Sequence, residues 1–559
     1  MQLKPSLSSL GVLSLALNIA SGNKERAERI QPDRQYAEDR AYMVFNAVHS
    51  AGRQWGSSLY HNGFGFFPAT VPMGTTFYHG ARTNVTPSGL EWLAFDIEHA
   101  ENFARSFRMR PGRGRPPQVK METPEMEDVL PGGQEVREEL RRRSENGDVY
   151  YTSDKEDEVG EPTDPNDPVN FRGYLHTYQT NREFNVLLID GMSAGKTSMG
   201  TLDSQDLVLR GNNTSRKMDE WHRALDLCKM ASEWGFDGFV RIELGVEIIK
   251  CDFGNGLDLV SMVRTEMHNH TMGRNEMAGF QWARAVAERY DGVGADRLRI
   301  DFSSMVSGLF FPINISSTMP ERPDLKRLGA ATLDELRDIK VYLRDTLRQP
   351  RRFTVNWQGV ADLIINRYSK RLALMVYKPL SLHFFVDEVD AATSTWVDAP
   401  PLPDDVSMVE RDGVNRTADA IELCRVHYLR AALAVKKRWN IEDELIYTSF
   451  DAVLGTICQT LFAVRSRLLE ASGSKLSDYK IKDDFEGNDK LEKAAQNGRA
   501  AIQELIDNLG WSTWKRPQPC APDETSVIAM WPFGTNEDHW HPGCRSIDTL
   551  QHPTDTYWD

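Results

Sequence analysis

A glutamate inside an otherwise apolar strand is the first residue whose type and position point to chemistry. The segment GVEIIKCDF places Glu247 between a valine and an isoleucine. Side chains alternate along a strand, so Glu247 shares one face with Ile249, whereas Ile248 and Lys250 lie on the other. A carboxylate in this setting is either an exposed residue at a sheet edge or a desolvated functional group.

A second candidate is the stretch FNVLLIDGMSAGKTS, in which an apolar run precedes a Gly-Lys-Thr sequence. A phosphate-binding P-loop has the pattern G-x-x-x-x-G-K-[ST], with four residues between its glycines. Asp190 stands five residues before Gly195, and Gly191 leaves the loop one residue too short. A carboxylate there would also repel phosphate. The sequence therefore argues against a P-loop.

Three segments of the first half occur in an order that matches a known family. They are GTTFYHGAR, a strand with a His-Gly pair; LEWLAFDIEHAENFA, a short strand and a helix start; and ASEWGFDGFVRIELGVEIIKCDF, a helix, a turn and a strand. Together they resemble the ADP-ribosyltransferase superfamily, most closely its His-type branch of poly-ADP-ribose polymerases and related bacterial proteins. The resemblance covers about residues 70–262. The whole chain also resembles a family of secreted fungal proteins.

The resemblance gives a role to each motif residue, with NAD as the substrate. It implies that His79 hydrogen-bonds the adenosine ribose and that the Gly80 backbone contacts the nicotinamide amide. Trp92, or Phe95 in a shifted register, would stack on the nicotinamide ring. Glu247 would stabilise the oxocarbenium-like state formed as the nicotinamide–ribose bond breaks, as carboxylates do in glycoside hydrolysis.

The motifs also depart from the family's His-Tyr-Glu pattern. Neither Trp92 nor Phe95 carries a hydroxyl, and Gly245 stands two residues before Glu247. The Glu-x-Glu pattern of arginine-directed transferases is therefore absent, which leaves the acceptor open. Taken singly, His79 also fits a turn residue, and the two aromatic residues fit an ordinary core.

We expect a secreted, NAD-using enzyme without a metal ion, either a mono-ADP-ribosyltransferase or an NAD glycohydrolase. The alternative is a non-catalytic binding or effector protein on the same scaffold. A glycan-active hydrolase is a third class, in which Glu91, Asp96 or Glu98 would be the second carboxylate beside Glu247. The H-x-H pairs in MHNHT and EDHWHPGC lack a third nearby ligand, so we interpret them as surface histidines.

The elements that must position these residues predict an α+β chain. We expect helical structure over 23–55, a split β-sandwich of the ADP-ribosyltransferase type over 56–262 and a mainly α-helical domain over 275–510. Residues 109–168 are poor in apolar side chains and are expected to form a mobile insertion. Residues 511–559, with their cysteine, tryptophan and proline residues, are expected to form a disulfide-pinned tail.

Several helices are predicted within this organisation. KMDEWHRALDLCKMASEWG should end near Gly235, and ATLDELRDIKVYLRDTL opens with a capping box of Thr332 and Glu335. ADLIINRYSKRLALMV, AIELCRVHYLRAALAVKKRW and DELIYTSFDAVLGTICQTLFAVRSRLLEA have apolar faces at helical spacing, and another helix covers about 489–508. Lys196, Thr197 and Asp203 follow a predicted strand near the cleft. They are either ligand contacts or solvated loop residues, and we favour the second interpretation.

The N-terminus predicts a secretory route. Residues 1–22 contain a lysine, a mostly apolar stretch and small residues, as a signal peptide does, and the stretch is too short to span a bilayer. Glycosylation sequons agree with this route and begin at Asn84, Asn212, Asn213, Asn269, Asn314 and Asn415. The net charge of −15 over 559 residues argues against a general nucleic-acid binder. We also expect no membrane partner.

The even number of cysteines predicts disulfides in such a protein. Six cysteines allow three bonds. The simplest connectivity joins neighbours along the chain: Cys228–Cys251, Cys424–Cys458 and Cys520–Cys544.

Overall fold

The structure is a computed structural model, and it describes residues 29–109, 169–211, 218–268, 276–377, 380–398, 415–473, 488–516, 519–550 and 556–558. The predicted signal peptide and nearly all of the predicted insertion lie outside these residues. The described chain is mixed α and β, with a curled sheet in its N-terminal part and a helical C-terminal region. The α+β expectation is confirmed at this level.

The strands lie mainly in the first three hundred residues. In chain order they are β1 (Asn62–Val71), β2 (Thr76–Ala81), β3 (Glu91–Ala94), β4 (Ser106–Met109), β5 (Val169–Phe171), β6 (Tyr174–Thr180), β7 (Phe184–Gly191), β8 (Gly238–Glu243), β9 (Gly245–Lys250), β10 (Leu257–Arg264), β11 (Met267–His268), β12 (Arg299–Ile300), β13 (Val306–Ser307), β14 (Glu524–Val527) and β15 (Gly543–Ser546).

One ten-stranded sheet contains most of them, in the order β10-β6-β2-β3-β9-β8-β7-β1-β12, with β13 also paired to β1. Its pairs are antiparallel except for β7 with β8. The strands β1, β8 and β9 are buried along their whole length, and their sequences are accordingly apolar with few interruptions. Those interruptions in β8 and β9 are the charged residues considered below. Because β12 and β13 lie beyond residue 262, the sheet continues past the boundary expected from the motifs.

The helices of the described residues flank the sheet and build the C-terminal region. They are α1 (Arg34–Asp39), α2 (Ala41–Ser50), α3 (Gln54–Leu59), α4 (Ile97–Glu101), α5 (Glu220–Trp234), α6 (Glu276–Ala287), α7 (Leu333–Leu347), α8 (Trp357–Val376), α9 (Leu382–Thr393), α10 (Arg416–His427), α11 (Arg430–Ala434), α12 (Ile441–Ser472), α13 (Asp489–Leu509) and α14 (Asn536–Trp540). A π-helical turn covers Ser204–Leu209.

The local signals that predicted the helices are present in the structure. Thr332 and Glu335 form both hydrogen bonds of the capping box at the start of α7. The helix α5 ends at Gly235, which adopts a left-handed conformation with φ of 78°, as glycine does at many helix ends. The helix expected over AIELCRVHYLRAALAVKKRW is instead divided into α10 and α11 and ends in a 3₁₀ turn at Lys436–Arg438.

The sheet and the helical region share one hydrophobic core. The helix α12 contributes most to it, and its Phe450 packs against Phe45 of α2 with ring centroids 4.7 Å apart. By length and apolar composition α12 could cross a membrane, but 61% of its most apolar window is buried inside the protein. It is therefore placed as the central helix of a folded core, which among the described residues extends from the sheet into the helical region.

All six cysteines are paired, and the predicted connectivity is confirmed. The bonds join Cys228 to Cys251, Cys424 to Cys458, and Cys520 to Cys544. The first links α5 to the end of β9, the second links α10 to α12, and the third closes the C-terminal segment around β14 and β15.

Candidate active site

The three motif strands lie side by side in the sheet. The strand β2 carries His79, its neighbour β3 carries Trp92, and the next strand, β9, carries Glu247. Tyr78 pairs with Ala94, and Ala94 pairs with Glu247. Since adjacent strands lie about 4.8 Å apart, this row spans about 10 Å from β2 to β9. The motifs separated in sequence are therefore neighbours in space.

The side chain of His79, however, lies on the opposite face from Glu247. Paired residues share a face and successive residues alternate, so Tyr78 is on the Glu247 face and His79 is not. Nδ1 of His79 donates a hydrogen bond to the Trp92 carbonyl at 2.8 Å. Its ring packs against His176. The roles implied by the resemblance would bring both side chains to one NAD molecule, in one cleft, and this placement corrects that expectation.

The two candidate aromatic residues also lie on opposite faces. Trp92 pairs with Ile249 on the Glu247 face, and its ring lies 5.6 Å from the Trp221 ring of α5. Phe95 is buried, with its ring 4.8 Å from that of Phe77. Trp92 is thus the aromatic residue of the motif that borders the face of Glu247, and Phe95 belongs to the core.

Gly80 has a packing role in this structure. A Cβ atom at this position would lie 2.2 Å from the Ala100 carbonyl oxygen and 2.7 Å from the Ala104 amide nitrogen. Only glycine therefore lets the end of α4 approach β2 this closely. The approach also brings α4, and with it His99, over the Glu247 face.

Glu247 belongs to a buried group of ionisable residues, which we call the Glu247 cluster. Its members are His99, Lys196, Glu220, Arg241, Glu243 and Glu247. Arg241, which is fully buried, binds Glu247 Oε1 at 2.5 Å and also forms an ion pair with Glu220. Lys196 Nζ lies 3.0 Å from Glu243 Oε2 and 3.8 Å from Glu220 Oε2. His99 Nε2 lies 3.8 Å from Glu243 Oε1.

A tight hairpin between β8 and β9 brings the two carboxylates of Glu243 and Glu247 together. Glu243 pairs with Gly245, and Arg241 pairs with Glu247, so Leu244 alone forms the turn. Gln54 of α3 fixes this turn, because its side chain donates to the Glu243 carbonyl and accepts from the Gly245 amide. The Glu-x-Glu pattern is absent from β9, but Glu243 of the neighbouring strand β8 places a second carboxylate beside Glu247.

Burial and neighbouring charges give these groups different proton affinities. Burial raises the pKa of Glu243, and the charge of Glu247 raises it further, against the opposing effect of Lys196. Burial acts in the same direction on Glu220, but Arg241, Lys196 and Arg223 outweigh it and lower the pKa of Glu220 to about 2. The cluster therefore contains one permanently charged carboxylate and a second, Glu243, that holds its proton more tightly.

The loop that follows β7 is buried beside the cluster, which corrects its interpretation as a solvated loop. The Lys196 side chain is 11% exposed and bound to Glu243. Thr197 is buried and contacts Thr201, and the buried Asp203 forms an ion pair with Arg327 at 2.6 Å. Lys196 thus binds a carboxylate of the protein, which agrees with the exclusion of a P-loop.

The C-terminal segment, residues 519–558 as far as described, covers this site. Lys196 Nζ lies over the Trp531 ring, 4.8 Å from its centroid. Trp282 of α6 stacks on His99 at 5.3 Å and contacts Phe533 at 6.1 Å. Glu247 itself is only 7% exposed. Two tryptophans from the second half of the chain therefore close a site built by the first half.

The other carboxylates considered from sequence do not join Glu247. Asp96 is buried in an ion pair with Arg289, whose Nε lies 2.7 Å from it. Glu91 lies opposite Lys250 at the far end of β3, and Glu98 lies in the first turn of α4. Of the two H-x-H pairs, MHNHT lies largely outside the described residues. In EDHWHPGC, His539 is buried rather than on the surface.

Four members of the site were not predicted from the sequence: Glu243, Arg241, Glu220 and His99. A signal for two of them was present in GFVRIELGVEI, where Arg241, Glu243 and Glu247 recur at two-residue spacing with glycine at 245. Such spacing places charged groups on one face of a hairpin. No comparable local signal marks Glu220 or His99, because helices place them in the site through tertiary packing.

Comparisons with known proteins support an evolutionary relation without assigning an activity. The family described as the YPL277C N-terminal domain matches residues 34–276, which include every member of the Glu247 cluster. The chain is 25% identical to YOR389W, an uncharacterized protein of Saccharomyces cerevisiae, over 90% of this chain and 84% of that protein. It is 30% identical to the uncharacterized protein YPL277C of the same yeast, over 42% of this chain and 45% of the relative. No solved structure matches the chain.

Proposed function

We propose that this protein cleaves the nicotinamide–ribose bond of NAD, as a mono-ADP-ribosyltransferase or an NAD glycohydrolase on a split β-sandwich of the ADP-ribosyltransferase type. The main supporting observation is the buried carboxylate of Glu247, on a strand that lies two places from the His-Gly strand in one sheet. Trp92 borders the same face. The adjacency of the motif strands supports the proposal.

In the proposed reaction Glu247 stabilises the positive charge that develops on the ribose. The bond between the ribose carbon and the nicotinamide nitrogen breaks, and nicotinamide leaves with the electron pair. Arg241 holds one oxygen of Glu247 at 2.5 Å and so fixes the carboxylate before the reaction begins. Such preorganised charge is usually the largest contribution to catalysis.

Glu243 is the proposed base for the group that replaces nicotinamide. Water, or a hydroxyl or amine of an acceptor, attacks the ribose carbon and must lose a proton. Burial raises the pKa of Glu243, and a base is most effective when its pKa approaches the working pH. The proton would pass to the deprotonated form of Glu243, next to Lys196 at 3.0 Å.

A non-catalytic binding protein on the same scaffold is the second candidate. Two observations favour it. His79 faces away from Glu247, so the motif does not complete one cleft. Trp531 and Trp282 also lie over Lys196 and His99, so a ligand reaches Glu247 only if this cover moves.

We also propose a secretory route for the protein. Its support is the pairing of all six cysteines, since disulfides form and persist in oxidising compartments. Thiol titration of the denatured, unreduced protein should find no free thiols, and six free thiols would contradict the proposal.

The experiment that separates the two candidate functions is nicotinamide release from NAD. Glu247→Gln keeps the size and hydrogen-bonding capacity of the side chain and removes its charge. We expect nicotinamide release to fall about a hundredfold or more, with NAD binding little changed. Release would be followed by chromatography and NAD binding by calorimetry.

Glu233→Gln is the matched control, because Glu233 is exposed on α5. It should leave release unchanged. If the wild-type protein binds NAD and releases no nicotinamide, with or without protein acceptors, the binding-protein candidate is correct. If it does not bind NAD, both candidates in their present form are wrong.

A further inference from the structure

Three side chains of the Glu247 cluster have the donor types and spacing of a metal site. They are His99, Glu243 and Glu247, and one nitrogen or oxygen atom from each lies within 4.8 Å of the others. All three residues are buried. We propose that His99, Glu243 and Glu247 bind a divalent transition-metal ion, with Zn²⁺ preferred over Mn²⁺.

The neighbouring cations leave one oxygen of each carboxylate for the metal. Arg241 binds Oε1 of Glu247, and Lys196 binds Oε2 of Glu243. Oε1 of Glu243 instead faces Nε2 of His99 at 3.8 Å. Carboxylates that bind metals are commonly hydrogen-bonded through groups outside the coordination sphere, which orient them. Arg241 and Lys196 occupy that outer position here.

A buried nitrogen of His99 points to a ligand. His99 is 2% exposed, and its Nδ1 has no hydrogen-bond partner among the described residues. That atom lies only 2.9 Å from where a Cβ of Gly245 would be. Gly245 pairs with Glu243 and stands two residues before Glu247, so the unpaired Nδ1 lies beside the hairpin that carries both carboxylates. Leaving a buried polar atom unpaired is unfavourable, and a metal would satisfy it.

The charges of the cluster favour an added cation. Three carboxylates, Glu220, Glu243 and Glu247, face the cations Lys196 and Arg241. Arg223 also binds Glu220 but is shared with Asp206. Excess negative charge is costly in a buried site unless a proton or a cation balances it.

The donor set selects the class of ion. One imidazole nitrogen and two carboxylate oxygens suit Zn²⁺ and, with lower affinity, Mn²⁺. Mg²⁺ and Ca²⁺ prefer coordination by oxygen alone. We therefore expect neither of these two ions to compete with Zn²⁺ at this site.

This inference does not rest on the proposed function, and the two fail separately. Metal binding is measured without NAD. A metal bound to Glu247 would withdraw that carboxylate from the ribose, so Zn²⁺ should slow nicotinamide release and EDTA should restore it. If the wild-type protein releases nicotinamide but does not bind Zn²⁺, only the metal site is overturned.

The test is calorimetric titration of the EDTA-treated, full-length protein with ZnCl₂. We expect one ion per chain, and a rise in the unfolding temperature with Zn²⁺. His99→Ala and Glu243→Gln should each weaken Zn²⁺ binding by more than about a hundredfold, beyond the range for residues outside the coordination sphere. Glu243→Gln keeps the side-chain shape, so it tests the site even if His99→Ala fails to fold.

His222→Ala is the matched control. His222 is partly exposed on α5 and pairs with Asp219 at 2.7 Å, so its removal should leave the stoichiometric binding unchanged. Absence of Zn²⁺ binding to the wild type would overturn the proposal. Binding that persists in both cluster variants, or that is lost in His222→Ala, would overturn it as well.

Discussion

Gly245 determines, at the scale of single residues, how closely the cluster can assemble. Its φ is 108°, and an added Cβ would meet His99 Nδ1 at 2.9 Å. Gly245→Ala must therefore adopt an unfavourable backbone conformation and also displace the imidazole. We expect the free energy of unfolding to fall by about 1–3 kcal/mol, measured by urea denaturation.

For Gly279→Ala we expect the opposite change in the free energy of unfolding, measured in the same assay. Gly279 lies in α6, and nothing lies within 4 Å of the Cβ it would gain. Alanine should stabilise the helix by about 0.5–1 kcal/mol relative to glycine. If Gly245→Ala and Gly279→Ala changed the free energy of unfolding equally, the backbone conformation and close contact at Gly245 would not be important for stability.

His79 is a second single residue with a testable role, and its contacts favour a structural one. Its hydrogen bond to the Trp92 carbonyl links β2 to β3. We expect His79→Ala to lower the free energy of unfolding by about 1 kcal/mol, while the NAD affinity of the folded protein stays unchanged. A tenfold loss of NAD affinity, about 1.4 kcal/mol, would instead support the ribose contact that the motif resemblance implies.

At the scale of elements, the disulfide between α5 and β9 fixes two parts of the cluster. Cys228 is in α5, which begins at Glu220, and Cys251 directly follows β9. Replacing both cysteines by alanine should lower the free energy of unfolding by about 3 kcal/mol. The bond joins residues 23 positions apart, and closing a loop of that length lowers the conformational entropy of the unfolded chain by roughly this amount. Urea denaturation of the double variant would measure it.

The disulfide between α10 and α12 serves as the control for the disulfide between α5 and β9. Removing Cys424 and Cys458 should cost similar stability, since the loop is of similar length. Only the α5–β9 variant should also reduce nicotinamide release, because only that bond holds Glu220 beside Arg241. Equal loss of release in both double variants would show that the effect is general.

The helices and the disulfides were accessible to sequence analysis because their signals are local. The capping box at Thr332, the glycine at 235 and the apolar stripes of α8 and α12 each act within a few turns. The faces of the motif strands were harder, because they depend on register across three strands. A shift of one residue would reverse the side on which His79 lies.

At the scale of the whole molecule, the C-terminal segment that covers the cluster is held by contacts with the N-terminal part of the chain. His61, next to β1, lies 3.0 Å from the Tyr557 hydroxyl, and the His539 ring stacks on Tyr557 at 3.9 Å. Burial lowers the pKa of His61 to about 4 and that of His539 to about 3. The charged neighbours of this contact are Arg322, Arg327, Asp324 and Lys515.

Docking of the C-terminal segment should consequently weaken in acid. Both histidines are neutral when buried, so their contribution is complete above the ordinary histidine pKa of about 6.5. It decreases as the pH falls from there towards 4, since the undocked form binds protons first. The loss for His61 should be on the order of 3 kcal/mol over that range. Limited proteolysis of the segment at pH 7.5 and pH 5 would measure it.

His61→Gln together with His539→Gln should remove most of this pH dependence. His383→Gln is the control, because His383 is partly exposed and pairs with Asp387. Proteolysis that is equally slow at both pH values in the wild type would contradict a histidine-dependent contact.

The contact between Lys196 and Trp531 has a consequence for biosynthesis. The two residues are 335 positions apart in the chain, so at 5–20 residues per second a ribosome adds Trp531 roughly 20 to 70 s after Lys196. During that interval the nascent N-terminal half can build its sheet without the cover. The Lys196 side of the cluster therefore lacks its Trp531 cover while the second half of the chain is being made, and a ligand that enters from that side has access before translation ends.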